Sequence, residues 1–457
     1  PMGYRPPAGH PTNPIVGHQD DGTPISFFEQ TGSLRGRIPS WDVPVRSEDD
    51  NERLDISTDM RWDINDDAQI NARLYRSDYE KRNDTSMAEF ADFGYPNQVA
   101  SAASGMNANV DVTAFESWAN LAVSDAHLLT IGGEIRDEAR EATVFRQDTG
   151  FDTRSVSYAA LFIQDQWDIT DTFKLTLGGR YDSYTQDSYT DALGARREDQ
   201  DDSESTFRIG LLKNFSPAIN LRVNFAQAYR VPDIRELFIQ KQTPAGLQLG
   251  AQAVSPSHNK VAYDLQAEST DTLEVGLNGR SNRLRYEAVV FHNKIDNRIE
   301  EVSVYFNADG NDDYFTFQNL SEAEITGLEL SGGYRFSDAL DVQVTWNELS
   351  TENKDSGKDL AFNPERTLAA FLTWSATERL DLGVNATYTG EQFYIENGQD
   401  KTASDYTLVN VNGSYRFDAE QRFTVFGGVN NLFDESVEAR LGSHVGTFIY
   451  AGLRAGF

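Results

Sequence analysis

Few side chains in this chain could do chemistry, and those few point to binding rather than catalysis. Cysteine is absent, which removes thiolate metal sites, disulfides and a cysteine nucleophile. The histidines are His10, His18, His127, His258, His292 and His444. His10 and His444 have no partner at metal-ligand spacing, and His292, within VVFHN, reads as a wall residue of a strand. No serine nucleophile elbow, phosphate loop or His-Glu-x-x-His pair occurs, so no catalytic residue and no resident metal is expected. Tyr305, Phe393 and Tyr394 stand near the bases of long connections, where they could stack on a flat aromatic ligand or belong to an interfacial girdle. With 40 Lys and Arg against 72 Asp and Glu, the net charge of -32 disfavours nucleic acid as a partner. The acid gathers in runs such as Arg196–Ser205 and Asn307–Tyr314, readable as a solvated repulsive surface or as oxygen ligands for divalent cations. Neither run has the spacing of an EF-hand loop.

The elements that would position these residues follow a rhythm. Short alternating segments are joined by connections of two sizes that take turns. The short ones are expected at Asn65–Asp67, Ser124–Ala126, Thr170–Thr172, Ser216–Ala218, Ser281–Asn282, Ser337–Ala339, Ala376–Glu378 and Asp418–Gln421. The long ones are expected at Lys81–Ala108, Gln147–Thr153, Gln186–Asp202, Val231–Gln266, Val304–Asp313, Thr351–Glu365, Gln392–Ala403 and Asp434–Val445. Strands that run up and down through one slab of lipid produce this sorting, with tight turns at one rim and long loops at the other.

Face by face, the segments support a membrane wall. Leu54, Ile56, Met60 and Trp62 alternate with Asp55, Asp59, Arg61 and Asp63, a period of two. A soluble antiparallel sheet would alternate too. Aromatics at the strand ends (Trp62, Trp167, Tyr181, Tyr229, Trp374, Tyr388 and Phe417) favour the membrane, as an interfacial girdle would use them. No stretch approaches the roughly 18 apolar residues of a membrane helix. The expected fold is therefore all-β, a transmembrane antiparallel up-and-down barrel with about 17 strands in this chain. Thr447, Ile449, Ala451, Leu453, Ala455 and Phe457 share the last face, and ending on Phe457 is similar to the insertion signal of outer-membrane proteins.

Particular segments resemble TonB-dependent outer-membrane receptors. Ala159–Asp182 is similar to the family's Gln-Asp-x-Trp to Gly-x-Arg-Tyr hairpin. Phe225–Phe238 (FAQAYRVPDIRELF) resembles its Phe-Arg-Ala-Pro-x-x-x-Glu-Leu box through Tyr229, Arg230, Pro232, Glu236 and Leu237. Ala267–Gly276 resembles the following strand through Glu268, Glu274 and Gly276, and Phe317–Leu330 resembles another through Asn319, Gly327 and Glu329. Asn430–Glu435 carries the segment before the last loop, with Asn431, Leu432 and Phe433. The resemblance implies an active transporter without catalysis, embedded in outer-membrane lipid of a Gram-negative bacterium and energised by the TonB complex. Its ligand would be an iron chelate, a ferric siderophore or haem, with cobalamin a variant and no covalent cofactor. His258 stands where haem members of the family place a haem-coordinating histidine, and neutral imidazole suits that role. A solvated loop histidine is the alternative, since AYDLQAES replaces the string usual in haem members. A passive porin and a secreted soluble β-protein are the competing classes.

The chain also departs from the family. Residues 1–50 are loop-rich, with at most one strand near Ile25–Leu34, too short for the family's plug domain and energy-coupling box; the barrel is expected over 51–457. The first strand (near Arg53–Asp63) and the last (near Gly446–Phe457) both run toward the short-turn rim. They would not pair in an even antiparallel barrel of about 22 strands, so the expectation is that plug and N-terminal strands belong to a missing part of the polypeptide.

Overall fold

A computed structural model describes residues 15–18, 24–26, 45–87, 104–144, 147–190, 196–197, 199–243, 246–255, 261–305, 313–320, 322–396, 399–417, 422–438, 441 and 446–456. The wall consists of β1 (Val45–Asn65), β2 (Ala68–Met87), β3 (Ser104–Ser124), β4 (His127–Val144), β5 (Gln147–Thr170), β6 (Phe173–Gln186), β7 (Gln200–Ser216), β8 (Ile219–Arg230), β9 (Glu268–Ser281), β10 (Leu284–Asp296), β11 (Glu322–Ser337), β12 (Leu340–Asn353), β13 (Arg366–Ser375), β14 (Leu380–Thr389), β15 (Tyr406–Arg416), β16 (Phe423–Asn430) and β17 (Phe448–Ala455). These 17 strands form a closed ring in sequence order. Consecutive strands pair antiparallel throughout, as in β1 with β2 and β16 with β17. Sixteen of the joints are antiparallel with a defined register; β17 and β1, which run in the same direction, meet only where the order of the ring returns on itself and share no register among the described residues.

Alternation sets the two faces. On β1 the outward Leu54, Ile56, Met60 and Trp62 are all more than half exposed, as are Leu161 and Ile163 on β5, the arrangement of a wall whose apolar side meets lipid. The opposite face carries ion pairs across neighbouring strands: Arg73 with Asp59 at 2.6 Å, Arg180 with Glu134 at 2.9 Å, and Arg222 with both Glu274 (2.9 Å) and Glu287 (2.5 Å). Two glycines of this face make room for large neighbours. A Cβ on Gly276 would lie 2.7 Å from Arg222 Nε, and one on Gly327 would overlap the Phe291 ring.

The wall is uneven in height. β1 to β5 have 21, 20, 21, 18 and 24 residues, whereas β13 to β17 have 10, 10, 11, 8 and 8. Crossing a bilayer takes about 9–11 tilted residues, so the first group stands well clear of the lipid. This height corrects several sequence expectations. β1 begins at Val45 rather than Arg53, and β2 and β3 run into the expected Lys81–Ala108 connection. The expected connection Gln147–Thr153 is strand, paired through Arg140 with Arg154 and Ala142 with Phe151. Its Asp, Gly and Thr read as turn formers, yet neighbouring strands supply ladder partners that outweigh local preference. The connection expected at Val304–Asp313 is longer, 297–321, and carries a hairpin of Ile299–Tyr305 with Asp313–Asn319, while Gln392–Ala403 is a hairpin of Gln392–Glu396 with Gln399–Ala403. In the N-terminal part, Ile15–His18 pairs with Pro24–Ser26; most of the strand expected near Ile25–Leu34 lies outside the described residues.

Candidate ligand-binding site

At the long-loop rim, the box Phe225–Phe238 ends β8 and starts a short helix, α1 (Ile234–Phe238). The Asp233 side chain accepts from the Arg235 backbone N–H at 2.6 Å, and Glu236 accepts from the Asp233 N–H at 2.8 Å, a reciprocal cap. Pro232, buried, fixes the backbone just before that cap. Arg230 donates twice to Glu236, at 2.9 and 3.1 Å, and once to Glu268 at 2.5 Å. The other oxygen of Glu268 accepts from the Ile299 N–H at 2.6 Å, at the start of the next loop's hairpin. Asn319 completes the clasp: Gln266 N–H donates to its Oδ1, and its Nδ2 donates to the carbonyls of Gln266 and Asn297. The structure thus brings Arg230, Pro232, Glu236, Leu237, Glu268 and Asn319 together, and it gives most of them a mechanical part.

Above the clasp the two loops merge. Gly246–Leu249, paired with Gln240–Thr243, adds parallel to Asp313–Asn319 and makes a four-stranded sheet. Ile234, Leu237, Phe238, Ala251 and Leu265 of one loop pack against Ile299 and Phe317 of the other, and the cluster rests on Val156 of β5, with Tyr158 and Tyr184 at its edge. Thr316 is fully buried beneath the Tyr263 hydroxyl at 3.3 Å, and burial pushes the Tyr263 phenol up from its ordinary pKa. The result is a folded cap leaning inward from the rim.

Beneath the cap, a cavity of about 530 Å³ opens between the inner faces of β4 to β8 and the loop base. Its lining includes Glu134, Arg136, Glu138, Tyr158, Arg180, Asp182, Tyr229, Arg230 and Asp233. The Arg136 guanidinium lies 4.1 Å over the Tyr158 ring, a cation–π contact. Arg180 bridges Glu134 and Asp182, each at 2.9 Å. Arg140 reaches Asp233 at 3.2 Å from the side. The volume and mixture of charge with aromatic rings suit a bulky polar ligand. Of the expected ligand residues, Phe393 and Tyr394, whose side chains are described, are not among its lining residues. Tyr394 is buried in a second loop cluster, stacked on Phe362 at 5.7 Å, with Phe393 half-buried beside it. Tyr305 is paired with Asp313 in the cap hairpin. His258 and Phe457 lie outside the described residues. Arg136, Tyr158 and Glu138 were missed because each is one polar or aromatic step in an ordinary alternation; only the pairing of β4 with β5 and the position of α1 single them out.

The remaining motif residues hold turns and walls. Glu274 and Gly276 accommodate Arg222, and Gly327 accommodates Phe291. Glu329 is exposed on the inner face of β11. Asn431, at φ 49°, exchanges hydrogen bonds at 2.8 Å with both backbone groups of Glu435, a turn that asparagine tolerates. Leu432 and Phe433, beyond it, are exposed at the rim.

A family model described as "TonB dependent receptor-like, beta-barrel" matches residues 3–432. The iron-regulated outer membrane virulence protein of Vibrio cholerae (serotype O1, strain O395) is 25% identical over 343 residues, covering 72% of this chain and 48% of that protein. The ferrienterobactin receptor of Escherichia coli K12 is 28% identical over 297 residues, covering 60% of this chain and 36% of that protein. The chain therefore spans about half or less of the length of these relatives. Among solved structures, a protein titled copper transporter OprC superposes with a TM-score of 0.71 at 16% identity, over 89% of this chain and 65% of that one, a likeness of fold.

Proposed function

Because the chain belongs to the TonB-dependent receptor-like β-barrel family, whose place is the outer membrane of Gram-negative bacteria, we propose that it takes up an iron chelate, a ferric siderophore first and haem second. The observation that carries this reading is the cavity beneath the cap. It lies on the long-loop side, it is large enough to engage a chelate of several rings, and it offers guanidinium and aromatic groups on rigid strands. The names of the relatives, one iron-regulated and one a receptor for a ferric siderophore, support the same ligand class. Active passage would draw on the inner-membrane TonB complex and on a plug domain within the barrel. Under the haem variant, His258 is the proposed axial ligand. Tyr305, Phe393 and Tyr394 are proposed to meet the ligand on its way in. No step of this function requires a catalytic residue.

Growth under iron limitation tests it. A deletion strain supplied with single ferric siderophores or haem should lose growth on at least one source and regain it with the complete gene. Equal growth of both strains on every source would remove the iron reading. Steady ion conductance by the purified protein in planar bilayers, with no saturable chelate binding, would put a passive pore in its place.

A further inference from the structure

The charge balance of the cavity narrows the ligand, an inference that rests on the iron-chelate reading. Three arginines line the cavity, Arg136, Arg180 and Arg230, against four carboxylates, Glu134, Glu138, Asp182 and Asp233. Including the partners that these groups grip adds Arg140, Glu236 and Glu268, giving four arginines against six carboxylates among the described residues. Arg180 and Arg230 are each held by two carboxylates within 2.9 Å. Arg136 is the lining arginine with no ion pair among the described residues, and it is stacked on Tyr158 with Glu138 two positions along the same inner face. No surplus of positive charge is left to meet an anion. The chain as a whole adds to this, with a net charge of -32.

Iron chelates differ sharply in charge. Ferric iron held by three catecholates, each doubly deprotonated, is triply negative. The same ion held by three hydroxamates, each singly deprotonated, is neutral, and a pendant amine makes the complex cationic. A lining of both signs with the carboxylates in excess offers a triply negative ion no net attraction and costs a neutral or cationic one nothing. We infer that this cavity selects ferric chelates of neutral or positive net charge, of the tris-hydroxamate class, over the triply negative tris-catecholates. The ligand class in the name of the Escherichia coli relative does not carry over.

Quenching of tryptophan fluorescence in the full-length receptor in detergent tests this with two probes, ferrioxamine as the tris-hydroxamate and ferric enterobactin as the tris-catecholate. At about 0.1 M salt the hydroxamate should bind at least about tenfold more tightly, and raising the salt to about 1 M should narrow the gap by screening the repulsion. Glu138→Gln removes one of the four lining carboxylates and should shift the preference several-fold toward the catecholate. Equal or tighter binding of the catecholate by the native receptor would overturn the charge selection while leaving the uptake reading intact. An unchanged preference in Glu138→Gln, with the folded barrel confirmed by its heat-dependent gel migration, would also overturn it. If neither probe nor haem quenches the folded receptor, the uptake reading itself fails.

Discussion

Two loop assemblies crown this barrel, and they are held in different ways. The cap over the cavity joins residues 231–267 to 297–321 through a shared apolar core, a parallel strand pair and the clasp of Arg230, Glu236, Glu268 and Asn319. The second assembly, residues 354–365 with 390–405, has a smaller interior, Leu360, Tyr394 and Ala403, and is joined by the Phe362–Tyr394 stack, the hydrogen bond from Phe362 N–H to the Phe393 carbonyl, and an exposed Lys358–Asp400 pair at 2.6 Å. The first is a small folded domain grown from loops. The second is two loops leaning on each other. The difference teaches that the residues resembling the family's motifs concentrate where loops must be made rigid, while the wall below supplies the cavity-facing groups.

Breaking the cap core should have the largest effect. Leu237→Ala removes a side chain that is 5% exposed, and such truncations cost about 2–5 kcal/mol. Hydrogen exchange should speed up at least about thirtyfold in both 231–267 and 297–321 together, since one core serves both. Acceleration in one loop alone would show that they open separately. Glu268→Gln comes next. It weakens the link to Arg230 while keeping an acceptor for Ile299, and losing a charged hydrogen bond costs about 1–3 kcal/mol. Its signature should again be joint acceleration of the two loops, with 354–365 unchanged. Phe362→Gly should move the second assembly by less than about 1 kcal/mol, because losing the ring stack is offset by relief at φ 60°, where glycine rests more easily. Protease cleavage within 354–365 would report a larger effect. Lys358→Ala should be the smallest, within error of the native rate and insensitive to salt, as exposed pairs contribute little.

The clasp also shows how far sequence goes. Arg230, Pro232, Glu236 and Glu268 could be picked out by resemblance, yet nothing in their spacing says that Glu268 accepts from Ile299, 31 residues on, or that Asn319 stands in for a strand by pairing both backbone groups of Gln266. Those are contacts between loops, which only the closed ring brings side by side. Tyr394 shows a different limit. An aromatic at a loop base is equally suited to a ligand and to a neighbouring ring, and only the structure shows that it stacks on Phe362.

The sequence by itself determined the barrel, because alternation with period two and connections of two sizes are local properties that survive without any partner. It determined the direction of every strand, including β1 and β17, which run the same way. Strand height was decided only in the tertiary structure, since residues such as Gln147–Thr153 are strand only while neighbours complete their ladder. The cavity was decided there as well. Arg136 on β4, Tyr158 on β5, Arg180 on β6 and Arg230 at the end of β8 are far apart in the chain, and one wall curving beneath one cap makes them a site.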